Sequence, residues 1–417
     1  MEYEILIVGS RVAGASLALL LGQRGRRVLM VDRDRFPSDT LSTHVIVPHG
    51  ISLLAQLGVL ADVEAVGFRR VTRARTYLKD CLFEGPVGPP GTYFLVPRRS
   101  NLDFILINHA IKQAGVEFCP QTNVEELIRE GERVIGAVLR TSAGERREVR
   151  ANVVVGADGK YSRVAKWVKA PTYDDLPAMR PVFYGYYRNV VPLTEPALEL
   201  FFIGDRIGFL FPMQPGMDCL ILEVQPEDFD SFRVNTKTRF EETFRALPLM
   251  EMRLKDAVLE GRIKGTRGIA NYFRKPYGPG WVLAGDAGHL KDSSTGFGIR
   301  DALLQSFLLA DVLNGIIEGA DWDATLSEFE RKRNHKLMPS YQATIASTRL
   351  HDLPTEELAG LRAILANPHL CRAFMQWLTG ALPQILPTHL EAEIQSMIKL
   401  FSSTVTPSIP RVPQEDG

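Results

Sequence analysis

Ile5-Leu6-Ile7-Val8-Gly9-Ser10-Arg11-Val12-Ala13-Gly14 decides the fold. Ile5 to Val8 is a short apolar run with β-branched members, the pattern of a buried strand. Ala15 to Gln23 is rich in Ala and Leu and predicts a helix that stops near Gly25, a good residue for a helix C-terminus. A second apolar run, Val28 to Val31, ends on Asp32, 23 residues after Gly9. Strand, glycine turn, helix, strand and acid stand in the order of a dinucleotide-binding βαβ unit.

Each part has a physical task. Gly9 allows a sharp turn off the strand, and Gly14 lets the helix pack close to the sheet. Free N–H groups around Val12 and Ala13, with the helix dipole, suit a pyrophosphate. Asp32, followed by Arg33, is spaced to bind ribose hydroxyls, and its charge repels a 2′-phosphate. Arg11 stands where the fingerprint has its middle glycine. Its side chain either points outward or touches a phosphate; the sequence leaves both open.

Working outward, 417 residues with 45% hydrophobic and 24% charged content suit two globular domains, or one with a large insertion. Lys and Arg total 49 and so do Asp and Glu, so no broad attraction to nucleic acid or an anionic membrane is implied. Cys81, Cys119, Cys219 and Cys371 are far apart, which argues against a zinc site or a dithiol motif and for reduced thiols in a cytoplasmic protein. No secretory signal is recognisable and no run is long enough to span a bilayer.

Between Pro181 and Val224 short aromatic and β-branched runs alternate with turns such as Gly204-Asp205 and Pro215-Gly216, predicting an antiparallel sheet. Gly280 to Asp286 returns to the pattern of a buried parallel strand, and Ile299 to Leu313 to that of an apolar helix. The expected organisation is a discontinuous nucleotide-binding domain, 1–175 and 265–345, a β-rich substrate domain, 176–264, and a helical C-terminal region with a loose tail, 346–417.

Three separated stretches resemble the FAD-dependent monooxygenases of the aromatic-hydroxylase type. They are the βαβ unit with Gly9, Gly14 and Asp32; Asp158-Gly159-Lys160-Tyr161-Ser162-Arg163; and Gly285-Asp286-Ala287-Gly288-His289 followed by Gly296-Phe297-Gly298. The resemblance implies an α/β fold: a Rossmann-like FAD-binding domain, an inserted antiparallel sheet and C-terminal helices. It implies that Asp286 accepts a hydrogen bond from a ribityl hydroxyl, that Gly285 and Phe297 belong to the cofactor site, that Gly296 and Gly298 let backbone approach the flavin ring ahead of the helix from Ile299, and that Asp158 has a cofactor-site role, with a simple Asp-Gly turn as the alternative. It also implies that Arg98 or Arg99 reaches the phosphates, that Val124 contacts adenine, and that Thr43 and His44 lie near the flavin ring. Where the family often has proline after its Gly-Asp motif, this chain has Lys291-Asp292-Ser293-Ser294-Thr295.

His44 and His289 are acid–base candidates, with a structural role as the alternative. Tyr184 and Tyr186, on one face of a strand with Tyr187 on the other, are substrate-site candidates, with packing as the alternative. The activity implied by the resemblance is hydroxylation of an aromatic or polycyclic small molecule. NAD(P)H would be the transient reductant, molecular oxygen the oxidant and a flavin C4a-hydroperoxide the intermediate. A reductase of carbon–carbon double bonds similar to the prenyl-reductase group, and a non-catalytic flavin-binding protein, are the alternatives. A Trp-x-Trp-x-Ile-Pro stretch is absent, which counts against a flavin halogenase.

Overall fold

A computed structural model describes residues 2–78, 81–348 and 367–371. The first strand, β1 (Tyr3–Val8), leads through a turn into helix α1 (Val12–Gly22) and back to β2 (Val28–Val31). Ile5, Leu6, Ile7 and all four residues of β2 are wholly buried, because the sheet is covered on both faces. Every residue of α1 is buried too. A helix apolar all round needs cover on every side, and α1 has it: the helices Arg99–Ile111 and Gly298–Ile317 pack against it and its own sheet lies beneath.

That first sheet runs, edge to edge, Tyr277–Gly278, Trp281–Leu283, Arg146–Gly156, β1, β2 and Val116–Cys119. All neighbours from Trp281–Leu283 onward are parallel. The antiparallel strands Thr122–Glu130 and Arg133–Thr141 extend it from Arg146–Gly156. The register Val8↔Gly156 and Leu283↔Gly156 brings three strands to their C-terminal ends at one level. Three loops therefore leave the sheet side by side, although they lie far apart in sequence.

A seven-stranded sheet forms the second layer, ordered Val258–Thr266, Val182–Arg188, Met217–Glu223, Arg206–Gln214, Ala197–Ile203, Arg73–Leu78 and Cys81–Pro86. It is antiparallel except where Ala197–Ile203 meets Arg73–Leu78. The last two strands come from residues outside 176–264. Arg253, buried in the helix Pro248–Arg253, sends Nη1 to both carboxylate oxygens of Glu199 at 2.7 and 2.8 Å and pins this sheet's outer face. A small sheet of Thr172–Leu176, Asn271–Arg274 and His289–Leu290 bridges the layers. After the helix Gly298–Ile317 comes Trp322–Ser347; most of the expected 346–417 region lies outside the described residues.

Two glycines fix the first turn. Gly9 has φ +101°, and a Cβ there would stand 2.4 Å from the Ala157 carbonyl oxygen. A Cβ on Gly14 would stand 1.8 Å from the Gly9 carbonyl oxygen. No rotamer relieves a clash between backbone atoms, so Gly14→Ala should destabilise the protein by about 3 kcal/mol or more. Gly25→Ala is the control: open space surrounds that position, its φ is +73°, and only the left-handed backbone is penalised, at about 1–2 kcal/mol. Urea unfolding midpoints of the two variants test the difference.

Candidate functional site

The three loops that leave β1, Arg146–Gly156 and Trp281–Leu283 enclose a cavity of about 440 Å³. Gly9, Arg11, Val12 and Ala13 supply one wall, Ala157, Asp158 and Gly159 a second, and Gly285 and Asp286 a third. Gly285 sits so close to α1 that a Cβ on it would meet Ala13 Cβ at 2.8 Å. The α1 N-terminus opens into this space with no side chain capping it, which leaves its first N–H groups for an anion.

Asp32 is held in place by its own loop. Its Oδ2 accepts from Ser10 N at 2.7 Å and Ser10 Oγ at 3.0 Å, and its Oδ1 accepts from Asp34 N. Arg11 turns away from the helix start: Nη1 reaches Asp103 at 2.7 Å, Nη2 reaches Asp34 at 2.9 Å, and the guanidinium lies over Phe36. Of the two alternatives for this residue, the ion pairs favour an outward, structural side chain. Asp103, with no exposure, also takes both Arg99 contacts, at 2.9 and 3.0 Å. One carboxylate thus aligns two guanidiniums, and Arg99 is on the cavity wall.

Arg98 faces elsewhere. It pairs with Asp39 and Glu260, both at 2.9 Å, and lies over the Tyr186 ring. Asp158 does two things at once. It lines the cavity, and it receives Ser162 Oγ at 2.5 Å and the N–H groups of Arg163 and Val164, so it secures the start of the helix Arg163–Trp167.

Asp286 is the most telling side chain. Protein surrounds it, yet it is exposed, because its carboxylate faces the cavity. Among the described residues no side chain or backbone group donates to that carboxylate, and its enclosure pushes its pKa up to about 6, against the pull of Arg99. The turn behind it is rigid: buried Arg333 donates to the carbonyls of Gly288 and Arg274, and Tyr272 OH donates to the Asp286 carbonyl at 2.9 Å.

Of the residues expected at the cofactor, Gly9, Arg11, Val12, Ala13, Asp32, Arg33, Thr43, Arg99, Val124, Asp158, Gly285, Asp286, Gly296, Gly298 and Ile299 all line this one cavity. Gly14, Arg98 and Phe297 do not: Gly14 packs beneath the turn, and Phe297 joins the aromatic core of the second sheet. His44 and His289 are off the wall as well. His44 is fully buried with Nε2 3.0 Å from Tyr186 OH, and burial lowers its pKa to about 3, with Arg99 adding to the effect. His289 stacks on Phe273 at 4.2 Å, and burial lowers its pKa to about 4. Both imidazoles are neutral at ordinary pH. Tyr184 and Tyr186 share a face, as alternation required, and pack with Phe209, Phe211 and Phe297 while Tyr187 joins the opposite core. The expectations missed Lys291, Asp292 and Ser293, which line the cavity. The signal was present in their charge, directly after a buried strand end.

A sequence profile described as the FAD binding domain matches residues 2–342. The chain belongs to this family. It is an FAD-dependent oxidoreductase of the aromatic-hydroxylase-like monooxygenase group. It is similar to a 1H-pyrrole-2-carbonyl-(peptidyl-carrier protein) brominase of Pseudoalteromonas luteoviolacea, 23% identical over 77% of this chain and 79% of that protein. It is also similar to squalene monooxygenase of Mus musculus, 24% identical over 84% of this chain and 62% of that longer enzyme. The structure of the flavin-dependent brominase Bmp2 superposes with a TM-score of 0.79, at 19% identity, over 96% of this chain and all of that one. No helix among the described residues is long and apolar enough to cross a membrane.

The residues present fit FAD. The cavity offers an unpartnered carboxylate to which a polyol could donate, an uncapped helix start and a guanidinium that could hold a pyrophosphate, and Asp32 as an acceptor for ribose hydroxyls. Arg99→Ala should weaken FAD binding by about tenfold or more, the worth of a charged hydrogen bond, while Arg98→Ala should change it by less than about twofold, as expected for exposed ion pairs. Asp286→Ala should match the Arg99 variant, and flavin fluorescence titration measures all three.

Proposed function

We propose that this flavoprotein uses NAD(P)H and molecular oxygen to hydroxylate an aromatic or polycyclic small molecule. One observation carries the reading. Gly296 and Gly298 line the cofactor cavity, while Phe297 between them is part of an aromatic cluster with Tyr184, Tyr186, Phe209 and Phe211 on the second sheet. The flavin end of the cavity therefore adjoins a buried aromatic cluster, whose chemistry suits packing against a flat, apolar ring. Similarity to a monooxygenase and a brominase supports oxygen-dependent chemistry.

In this reading the chain binds, orients and excludes water. Gly9, Arg99 and the α1 N-terminus hold the phosphates, Asp32 the ribose, and Asp286 the ribityl chain. The start of the helix Gly298–Ile317 faces the flavin ring and stabilises negative charge on it. Lys291, buried and 2.6 Å from Asp301, has its pKa lowered by burial to about 8 and adds positive charge at the same rim. His44 is neutral and tied to Tyr186, so it orients that phenol rather than exchanging protons at neutral pH. When bound, reduced FAD supplies the activation of oxygen.

Oxygen uptake of the FAD-loaded protein with NADH or NADPH, across a panel of phenols and polycyclic aromatics, tests this. The expected result is substrate-stimulated NAD(P)H oxidation with one atom of labelled oxygen in the product. Saturation of a carbon–carbon double bond without oxygen uptake would establish the reductase reading instead. A product formed only with added bromide or chloride would establish halogenation.

A further inference from the structure

Asp292, in the segment that stands where the family has proline, and Glu223, on the second sheet, are two acids with an unfinished hydrogen-bond account. Asp292 is 2% exposed and lines the cofactor cavity; Glu223, the last residue of the strand Met217–Glu223, is wholly buried. Ser293 Oγ donates to Glu223 Oε1 at 3.1 Å, which joins the two side chains' neighbourhoods. Asp292 Oδ1 accepts from Ser294 N at 3.0 Å, and Asp292 N donates to Asn271 Oδ1 at 2.7 Å. Glu223 Oε2 and Asp292 Oδ2 are both buried with no partner. Two buried acceptors without donors are costly. A proton on one of the two carboxyls would supply the missing donor.

The charges agree. Arg180, itself buried, is the cation that acts on both acids. It reaches the carbonyl oxygens of Asp205 and Thr348, each at 2.8 Å. Lys291, next in sequence, turns to Asp301 and Ser340, and Arg300 also pairs with Asp301. One guanidinium against two carboxylates leaves a net negative charge in a dry interior, and a single proton cancels it. Asp292 receives the backbone N–H, so it is the better carboxylate; Glu223, deeper and with one hydroxyl donor, is the better acid.

We propose that Glu223 is a positioning residue for the cofactor site: protonated, it donates to Asp292 Oδ2 and so latches the Asp292–Gly298 segment of the cavity rim to the second sheet. Burial raises both acids, Asp292 to about 6 and Glu223 well above its ordinary range, partly through Asp292 itself. The sign follows. A raised folded pKa contributes stability at low pH that is lost as pH rises through the folded value. Loss of the proton puts two adjacent anions on the rim, repels the anionic cofactor and frees the segment. The inference rests on this cavity being the FAD site only for its second readout.

The test compares wild type with Glu223→Gln, whose amide keeps a donor but cannot ionise, from pH 5.5 to 8.5. Two quantities are read: the melting temperature without FAD, and the FAD dissociation constant. In wild type the melting temperature should fall with rising pH more steeply than in Glu223→Gln. FAD binding should weaken by a factor of about five or more across the range in wild type, and by less than about twofold in the variant. Lys291 titrates in the same window, but it is present in both proteins, so the difference isolates the pair. Asp292→Asn should flatten both profiles as well and serves if Glu223→Gln fails to fold. Parallel wild-type and variant melting profiles would overturn the shared proton. Divergent melting profiles with parallel FAD profiles would overturn the latch. If FAD binds none of the proteins at any pH, the reading of the cavity has failed, and the melting profiles still decide the pair.

Discussion

Everything in this flavoprotein depends on backbone meeting backbone at the ends of three parallel strands. Gly9 lies against the Ala157 carbonyl, Gly14 against the Gly9 carbonyl, and Gly285 against Ala13. A Cβ at Gly9, Gly14 or Gly285 would stand 2.4, 1.8 or 2.8 Å from its neighbour, inside contact distance, and would force the loops apart. Register achieves the rest: Val8 and Leu283 both pair with Gly156, so residues 9, 157 and 284 leave the sheet at one level. Cofactor binding in this fold is thus a property of sheet closure before it is a property of any side chain.

Arg11 shows how a departure from a fingerprint is absorbed. A middle glycine is useful because the backbone there must approach a pyrophosphate. Arg11 preserves that approach by sending its guanidinium outward, where Asp34 and Asp103 neutralise it and Phe36 covers it. Asp103 then serves twice, since it also orients Arg99 toward the cavity. The positive charge of residue 11 is held by two carboxylates, and the guanidinium directed to the cavity wall is that of residue 99.

The sequence was legible where geometry is local. The first βαβ unit, the position of Asp32, the alternation of Tyr184, Tyr186 and Tyr187, and the strand before Asp286 all follow from short-range pattern. It was mute where direction is set by tertiary partners. Arg98 and Arg99 are adjacent and chemically alike; only the helix Arg99–Ile111 and the acids Asp39 and Asp103 send one outward and the other inward. His44 and His289 were acid–base candidates by residue type, with a structural role as the alternative, and burial holds both neutral inside aromatic packing. The strands 73–78 and 81–86 join the second sheet through a parallel pairing with Ala197–Ile203, a contact more than a hundred residues distant that no local pattern encodes. Lys291, Asp292 and Ser293 read as a polar loop because their partners Asp301, Glu223 and Arg180 lie on separate elements.

Those partners explain why so much uncompensated polarity is tolerated. Asp286 lacks a donor, and Asp292 and Glu223 each carry an oxygen without one. Each of the two buried oxygens, on Asp292 and Glu223, costs about 1–3 kcal/mol in a folded interior, a large part of ordinary domain stability; the Asp286 carboxylate faces the cavity and is exposed. A hydrophobic replacement would relieve the cost but leave nothing for a polyol or a pyrophosphate to bind. A ligand that donates to these groups stabilises the fold, which couples folding to binding by mass action. Polarity at Asp286 is answered by the ligand itself, and polarity at Glu223 and Asp292 by a proton. The same rim therefore reports both the cofactor and the pH, and the two responses meet in the one segment, Asp292–Gly298, that joins the cofactor cavity to the aromatic face of the second sheet.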